Sequence, residues 1–363
     1  MNLLLLHEFH QTLGARFSEL NGREIVADYG DDLAEYRALR ESAGVLDFSF
    51  RGRICLTGND RIRFLHGQIT NDVKKLPAGE GCYAALTTAK GRMESDLNVF
   101  NLPDELLLDF EPGLTERISG RLEKFVVADD VQIVDAAPHY GLLTVLGPKA
   151  AEVVRLVGLL GNVPAAECFI VKVSDETLGE IYLATLRRLV GAGFDVFVPI
   201  ESLGAVADKL IGAAKSVGGR VCGWTAFETA RIESGVPRFG ADMDESNLPM
   251  ECIENRAVSF SKGCYIGQEV LNRIHAMGHV TKELRGLRLP DDVTKLPNKG
   301  DKLAHDGKET GCVTSAVKSP ILNANIALGY VRREANKIGT ELTLQTSDGP
   351  CPVKIVELPF VSK

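Results

Sequence analysis

The sequence predicts an α+β chain of more than one domain that ends in an all-β unit. Three observations carry this prediction. At 363 residues the chain exceeds the roughly 250–300 residues beyond which a single hydrophobic core stops growing. Strands and helices alternate in two successive blocks up to about residue 281. Beyond about residue 282 the helical periodicity vanishes, and short strands follow, divided by Gly, Pro, Asn and Asp.

Taken in order, Leu5, Phe9, Leu13 and Phe17 recur every four residues and predict one face of an N-terminal helix. A second helix fits residues 33–42, with Gly44 as the residue that stops it. Residues 53–57 read as a strand, Gly58-Asn59 as a turn, and Asp60 as the N-cap of a helix carrying Phe64 and Leu65. Residues 84–88, 96–102 and 105–110 read as strands, Ile118, Leu122 and Phe125 as a helix face, and 131–134 as a closing strand. That order is ferredoxin-like. The second block reads as a helix over 148–160, strands over 180–186 and 194–199, a Ser-capped amphipathic helix over 202–217, and a helix over 225–234 ended near Gly235 and Pro237. Strands over 284–289, 311–317, 326–331, 341–344 and 353–356 then suggest a small barrel or sandwich.

Composition narrows the class of function. Hydrophobic residues make up 45% and charged residues 25%, and mean hydropathy is +0.01, the balance of a globular protein. A net charge of −8 gives no bulk attraction for nucleic acid or an anionic membrane, so neither is expected as a direct partner. The eight cysteines are scattered without a C-x-x-C pair, which argues against a disulfide scaffold and leaves no expected metal site. Leu3 to Leu6 lack a basic leader, and no apolar run reaches the roughly 20 residues that span a bilayer. The expected location is the reducing cytoplasm.

Three stretches carry candidate chemistry. Lys262-Gly263-Cys264-Tyr265-Ile266-Gly267-Gln268-Glu269 runs into a helical pattern of Val270, Leu271 and Ile274. A thiol just before a helix N-terminus and beside a lysine sits in positive potential that favours the thiolate; the plainer alternative is a small buried hydrophobe. Glu233 ends an apolar helix before a Gly- and Pro-rich turn. Its carboxylate either accepts paired hydrogen bonds from a planar ligand edge such as that of a pterin, or pairs with Arg231 or Arg238. Asp96 opens a strand after the Lys90-Gly91-Arg92 turn, where it either stabilises positive charge developing on a ligand or simply closes the turn.

Ala43-Gly44-Val45-Leu46-Asp47, Arg51-Gly52-Arg53-Ile54, Leu56-Thr57-Gly58, Phe64-Leu65-His66-Gly67-Gln68, Thr70-Asn71-Asp72, Thr310-Gly311, Thr314-Ser315 and Leu358-Pro359-Phe360 together resemble the glycine cleavage T-protein (aminomethyltransferase) superfamily. The resemblance spans nearly the whole chain. It implies a three-domain ring of two ferredoxin-like α+β lobes and a C-terminal β-barrel around a folate channel. The implied divisions are 1–50 with 140–281 as one discontinuous lobe, 51–139 as the second, and 282–363 as the barrel. The octapeptide at Lys262–Glu269, with Asn247-Leu248-Pro249 and Glu251, looks like the YgfZ-type branch, whose members bind folate and support iron–sulfur cluster assembly or repair. So does Arg187-Arg188-Leu189-Val190 before Gly193-Phe194-Asp195. The resemblance therefore implies tetrahydrofolate or a one-carbon derivative as ligand, iron–sulfur proteins as clients, and Cys264 as functional thiol, with a folate-dependent aminomethyl- or methyltransferase as the alternative. It places the pterin on Glu233, the reactive nitrogen near Asp96, and Tyr83 and Met93 along the channel. Charge sign nominates Arg273 and Lys262 for the glutamyl tail. Asp109-Phe110-Glu111-Pro112 departs from the Val-Asn-Ala type segment of T-proteins.

Overall fold

The computed structural model describes residues 2–159, 167–191, 193–346 and 349–361. The chain opens with α1 (His7–Thr12), the hairpin β1 (Arg16–Leu20) and β2 (Arg23–Asp28), α2 (Asp32–Glu41) and β3 (Gly44–Asp47). It then builds an antiparallel five-stranded sheet from β4 (Gly52–Thr57), α3 (Arg61–Gln68), β5 (Gly81–Thr87), β6 (Met93–Asn101), β7 (Leu106–Phe110), α4 (Thr115–Glu123) and β8 (Gln132–Asp135). Its strand order is β5-β6-β7-β4-β8. Next come β9 (Tyr140–Leu146), α5 (Ala150–Leu156), β10 (Phe169–Asp175), β11 (Gly179–Thr185), β12 (Gly193–Pro199), α6 (Ile200–Ser216), β13 (Arg220–Val221) and α7 (Trp224–Glu233). These strands join β3 in a six-stranded sheet of order β10-β11-β12-β9-β3-β13. After α8 (Glu254–Ala257) and α9 (Gln268–Met277), β14 (Lys282–Arg288), β15 (Lys302–His305), β16 (Lys308–Ser319), β17 (Ala324–Arg332), β18 (Glu341–Thr346) and β19 (Gly349–Val356) close a barrel. The α+β class and the terminal barrel agree with the expected T-protein-like architecture.

Alternation explains the layering. Leu97 and Val99 on one face of β6 join Ile54, Leu56, Leu106 and Leu108 in a core capped by Phe64 and Leu65 of α3 and by Ile118 and Leu122 of α4. The other face of this sheet turns toward the six-stranded sheet, where Cys55, Leu107 and Phe100 pack with Phe197 and Leu142. The barrel has its own core of Leu287, Leu303, Val313, Val331, Leu344 and Ile355.

Several local expectations change. Phe17 does not continue α1; it stands in β1, because α1 ends at Thr12 and Gly14 takes φ +80°. Gly44 starts β3 instead of stopping α2. A side chain there would meet Leu39 Cδ2 at 2.4 Å and Cys222 Sγ at 2.8 Å, so close packing is what requires glycine. Asp60 precedes α3 without capping it through its side chain, and accepts instead from the Asp130 amide at 2.9 Å. Helix α6 begins at Ile200, so Ser202 is not its cap. The helix expected over 148–160 is α5, and residue 160 lies outside the described residues. Strands β1, β2, β3, β9, β10, β13 and β15 add to those expected from the sequence. Among the described residues no helix is long and apolar enough to cross a membrane.

Candidate active site

The inward face of the five-stranded sheet carries the polar groups. Because Leu97 and Val99 point into the α3–α4 core, Asp96 and Asn98 must face the other way. Ladder register sets Ala85 opposite Asp96 and Tyr83 opposite Asn98, and Asn98 opposite Asp109 on β7. Helix α7, the residues after β11 and the turn after α7 cover this face with Phe227, Arg231, Leu186, Arg188, Pro237 and Arg238. The resulting cleft is crowded with arginines: Arg51, Arg187, Arg188, Arg231, Arg238 and Arg256 line it and leave about 70 Å³ free.

Asp96 sits at its floor. The Tyr83 hydroxyl donates to Asp96 Oδ2 at 2.8 Å, while Oδ1 is buried and has no hydrogen-bond partner. Burial pushes the carboxyl up to about 6, and the negative charge of Glu111 adds to this; the Tyr83 hydrogen bond and Arg51 pull the other way. A carboxylate with one oxygen anchored, one unmet and a pKa near neutrality is suited to receive and release a proton.

The surrounding charges are paired. Arg51 forks onto Asp109, with Nε–Oδ1 at 2.8 Å and Nη2–Oδ2 at 3.0 Å, and its Nη1 reaches Glu111. Arg188 joins Asp109 to Asp195. Arg238 donates to Glu111 at 2.8 Å and lies over the Trp224 ring at 5.1 Å. Burial disfavours the charged forms of Asp109 and Glu111, but Arg51 with Arg188 and Arg51 with Arg238, respectively, outweigh it and hold both carboxyls low. Removing one member of such a buried network costs about 3–5 kcal/mol. The Asp109-Phe110-Glu111 departure is thus an internal ion-pair network at the edge of the cleft.

Of the residues singled out from sequence, Tyr83 and Asp96 come together here. Met93 is fully buried behind them, packed with Tyr83, Phe239 and Met243, and does not line the cleft. Glu233 also turns away. It is fully buried; the Tyr36 hydroxyl lies 2.8 Å from both of its oxygens, Arg40 and Ser319 hold the rest, and it too is absent from the lining. Its acceptor positions are taken up in this structure by ties from α7 to α2 and the barrel, so it presents none to the cleft. Arg231 and Arg238, the alternative partners, pair instead with Asp242 and Glu228, and with Glu111 and Glu228.

Lys262 is likewise unavailable to a ligand tail. Its Nζ donates to the carbonyls of His66 (2.6 Å), Ile69 (2.6 Å) and Asn71 (2.9 Å), and burial lowers it to about 8. Arg273 is exposed on α9, outside the cleft lining. Cys264 is exposed on the loop that Lys262 pins, and it is the one exposed cysteine of the eight. The loop docks on the end of α3, where the Ile266 amide donates to the Gly67 carbonyl at 3.1 Å. Gly267 enters α9 at φ +92°, with the Thr88 carbonyl 2.6 Å from where a Cβ would stand. Cys264 and Asp96 thus belong to different surfaces. Among the described residues no group of three or more His, Cys, Asp or Glu side chains could hold a metal ion.

Residues 6–262 match the GCVT N-terminal domain, and residues 282–362 match the glycine cleavage T-protein C-terminal barrel domain. The chain belongs to the glycine cleavage T-protein family. Among T-protein relatives, an aminomethyltransferase of Symbiobacterium thermophilum is 29% identical, over 98% of this chain and 96% of its own length. One from Herpetosiphon aurantiacus is 29% identical over 98% and 97%. The crystal structure of the glycine cleavage system aminomethyltransferase T from Bartonella henselae superposes with a TM-score of 0.89 over 99% of this chain and 98% of that one, at 24% identity, which establishes the shared T-protein fold.

Proposed function

We propose that this T-protein-family member is a folate-dependent aminomethyltransferase that passes a one-carbon unit from an aminomethyl donor to tetrahydrofolate, with release of ammonia. The observation that carries the reading is Asp96: a floor carboxylate with Oδ2 fixed by Tyr83, Oδ1 unmet, and a pKa raised to about 6. Names of relatives that span this chain almost end to end favour a transferase over the iron–sulfur role that stood first from sequence. In this reaction the folate is a substrate, the acceptor of the one-carbon unit. Its anionic glutamyl end suits the arginine-rich cleft, with exposed Arg187 at the rim. The small free volume means that rim side chains must move on entry.

Above about pH 6 Asp96 is ionised, and Oδ1 can accept an N–H of the reduced pterin. As this nitrogen bonds to the donor's aminomethyl carbon, that carbon's bond to its protonated amino group breaks and ammonia leaves, and Asp96 takes up the proton that the ring nitrogen loses. Tyr83 keeps the carboxylate oriented meanwhile. Ammonia release from an aminomethylated donor, measured with and without tetrahydrofolate, tests the reading: release must depend on the folate and collapse in Asp96→Asn.

A second reading rests on one feature, the exposed Cys264 on its pinned loop. It assigns this thiol to iron–sulfur cluster maintenance with iron–sulfur proteins as clients, in the cytoplasm. Full restoration of cluster-enzyme activity by Cys264→Ala in a deletion strain would remove it.

A further inference from the structure

The Tyr83 ring, whose hydroxyl orients Asp96, carries a cation on its face. The Arg256 guanidinium lies 4.9 Å from the ring centroid, and Arg256 also lines the cleft. Its other partner faces outward: Nη2 pairs with the Glu167 carboxylate, where both side chains are partly exposed. Contacts therefore run from Glu167 at the surface through Arg256 and Tyr83 to Asp96 at the floor. The residues around this stack hold it in place. Asn71 Nδ2 donates to the Tyr83 carbonyl (2.8 Å) and to the Arg256 carbonyl (3.3 Å), which fixes the two backbones against each other. The Thr70 hydroxyl donates to the Ala257 carbonyl at 2.6 Å and accepts from the Ala85 amide at 2.8 Å. Lys262 Nζ donates in turn to the Asn71 carbonyl at 2.9 Å. Thr70, Asn71 and Lys262 thus staple α8 to β5.

Other groups face Asp96 as well. Glu111 and Arg51 act on it directly, but both are locked in the ion-pair network with Asp109 and Arg238. Cys252, just before α8, lies within reach of its charge, and burial pushes that thiol up to about 12 and keeps it neutral. Arg188, Arg231 and Arg238 are spent on carboxylates of their own. Arg256 reaches Asp96 by another route. Burial and Asp96 push the Tyr83 hydroxyl up, and Arg256 pulls it back. A cation over a phenol ring is attracted by its π density and polarises the hydroxyl into a stronger donor.

We propose that Arg256 is a positioning residue for the proton transfer: held over Tyr83 by the Thr70-Asn71 staple, it strengthens the hydrogen bond that aims Asp96 and keeps that carboxylate charged. The inference rests on the transferase reading for the reaction it serves, while the tuning of Asp96 is measurable without turnover.

The test is NMR titration of the full chain labelled with carbon-13 at the aspartate carboxyls, the Asp96 signal being assigned by its loss in Asp96→Asn. Arg256→Met and Arg256→Gln should each raise the Asp96 midpoint by about half a pH unit, and Arg256→Lys, which keeps the cation, by less than half as much. In a Tyr83→Phe background the Arg256→Met change should move the midpoint by less than about 0.2 pH unit, because the hydroxyl that carries the effect is gone. The pH–rate profile of folate-dependent ammonia release should move with the midpoint in each variant. A midpoint unchanged in both Arg256→Met and Arg256→Gln, or an equal rise with and without the Tyr83 hydroxyl, would overturn the proposal. A wild type that tunes Asp96 through Arg256 as expected but releases no ammonia would remove the transferase reading alone.

Discussion

Replacing Glu233 by Ala distinguishes a structural from a ligand-binding carboxylate. The wild-type side chain is fully buried and held by Tyr36, Arg40 and Ser319. Its removal strands the Arg40 guanidinium, whose side chain is only 13% exposed, and leaves the Tyr36 hydroxyl without its acceptor. Breaking a buried pair from one side costs about 3–5 kcal/mol, a large share of a typical stability of about 5–15 kcal/mol. At a urea slope near 3 kcal/mol per molar, the unfolding midpoint should fall by roughly 1–1.7 M. The readout is built in. Trp224, the only tryptophan, begins the helix that Glu233 ends, packed against Phe48, Phe50 and Phe227. Tetrahydrofolate affinity, measured under conditions where the variant is folded, should change little. A midpoint within about 0.3 M of wild type, together with a more than tenfold loss of folate affinity, would refute this reasoning and return Glu233 to the ligand.

Three other perturbations follow from the same geometry. Lys262→Met removes three hydrogen bonds to carbonyls and should cost at least about 2 kcal/mol, with new protease cuts within residues 262–267 by mass spectrometry. Brief alkylation of the native protein should modify Cys264 first, because burial pushes the Cys82, Cys168, Cys222 and Cys252 thiols up and shields them; peptide mapping checks the order. The raised pKa of Asp96 means that the fold favours its neutral form, so its contribution is present below the ordinary carboxyl range and is lost as pH rises through about 6. Asp96→Asn should therefore raise the urea midpoint at pH 8, and the gain should shrink toward pH 4.

What could be read from the chain depended on how local the signal was. Strands β4 to β8 announce themselves by alternation and by tight turns such as Gly58 at φ +95°. The strand β10 is missed because as an edge strand it is largely exposed, with only Ile170 fully buried, so period-two hydrophobicity is faint. Phe17 continues a four-residue spacing by coincidence, and a hairpin wins through five cross-strand pairings with β2. Asp96 was legible as a charge at the mouth of a strand, although β6 in fact begins three residues earlier, at Met93. Arg51, Arg188 and Glu111 were not, since their partners lie 58 to 79 residues away for Arg51 and Arg188 with Asp109, and 60 for Glu111 with Arg51. The clue present in the sequence was acidic residues alternating in Leu106 to Glu111, a hidden-charge pattern that demands buried cations. The surroundings of Glu233 were not legible, because a carboxylate at a helix end looks the same in sequence whether it faces a ligand or a neighbouring helix.

The most direct test of the transferase reading is the pH profile of tetrahydrofolate-dependent ammonia release from an aminomethylated donor, for the wild type and for Asp96→Asn. Wild-type turnover should rise as pH increases through about 6, where Asp96 ionises, and the variant should lose at least about a hundredfold in rate and show no such rise. Folate-dependent release that persists in Asp96→Asn with the same pH profile would contradict the assignment of the proton transfer to Asp96. No release by the wild type at any pH would contradict the transferase itself.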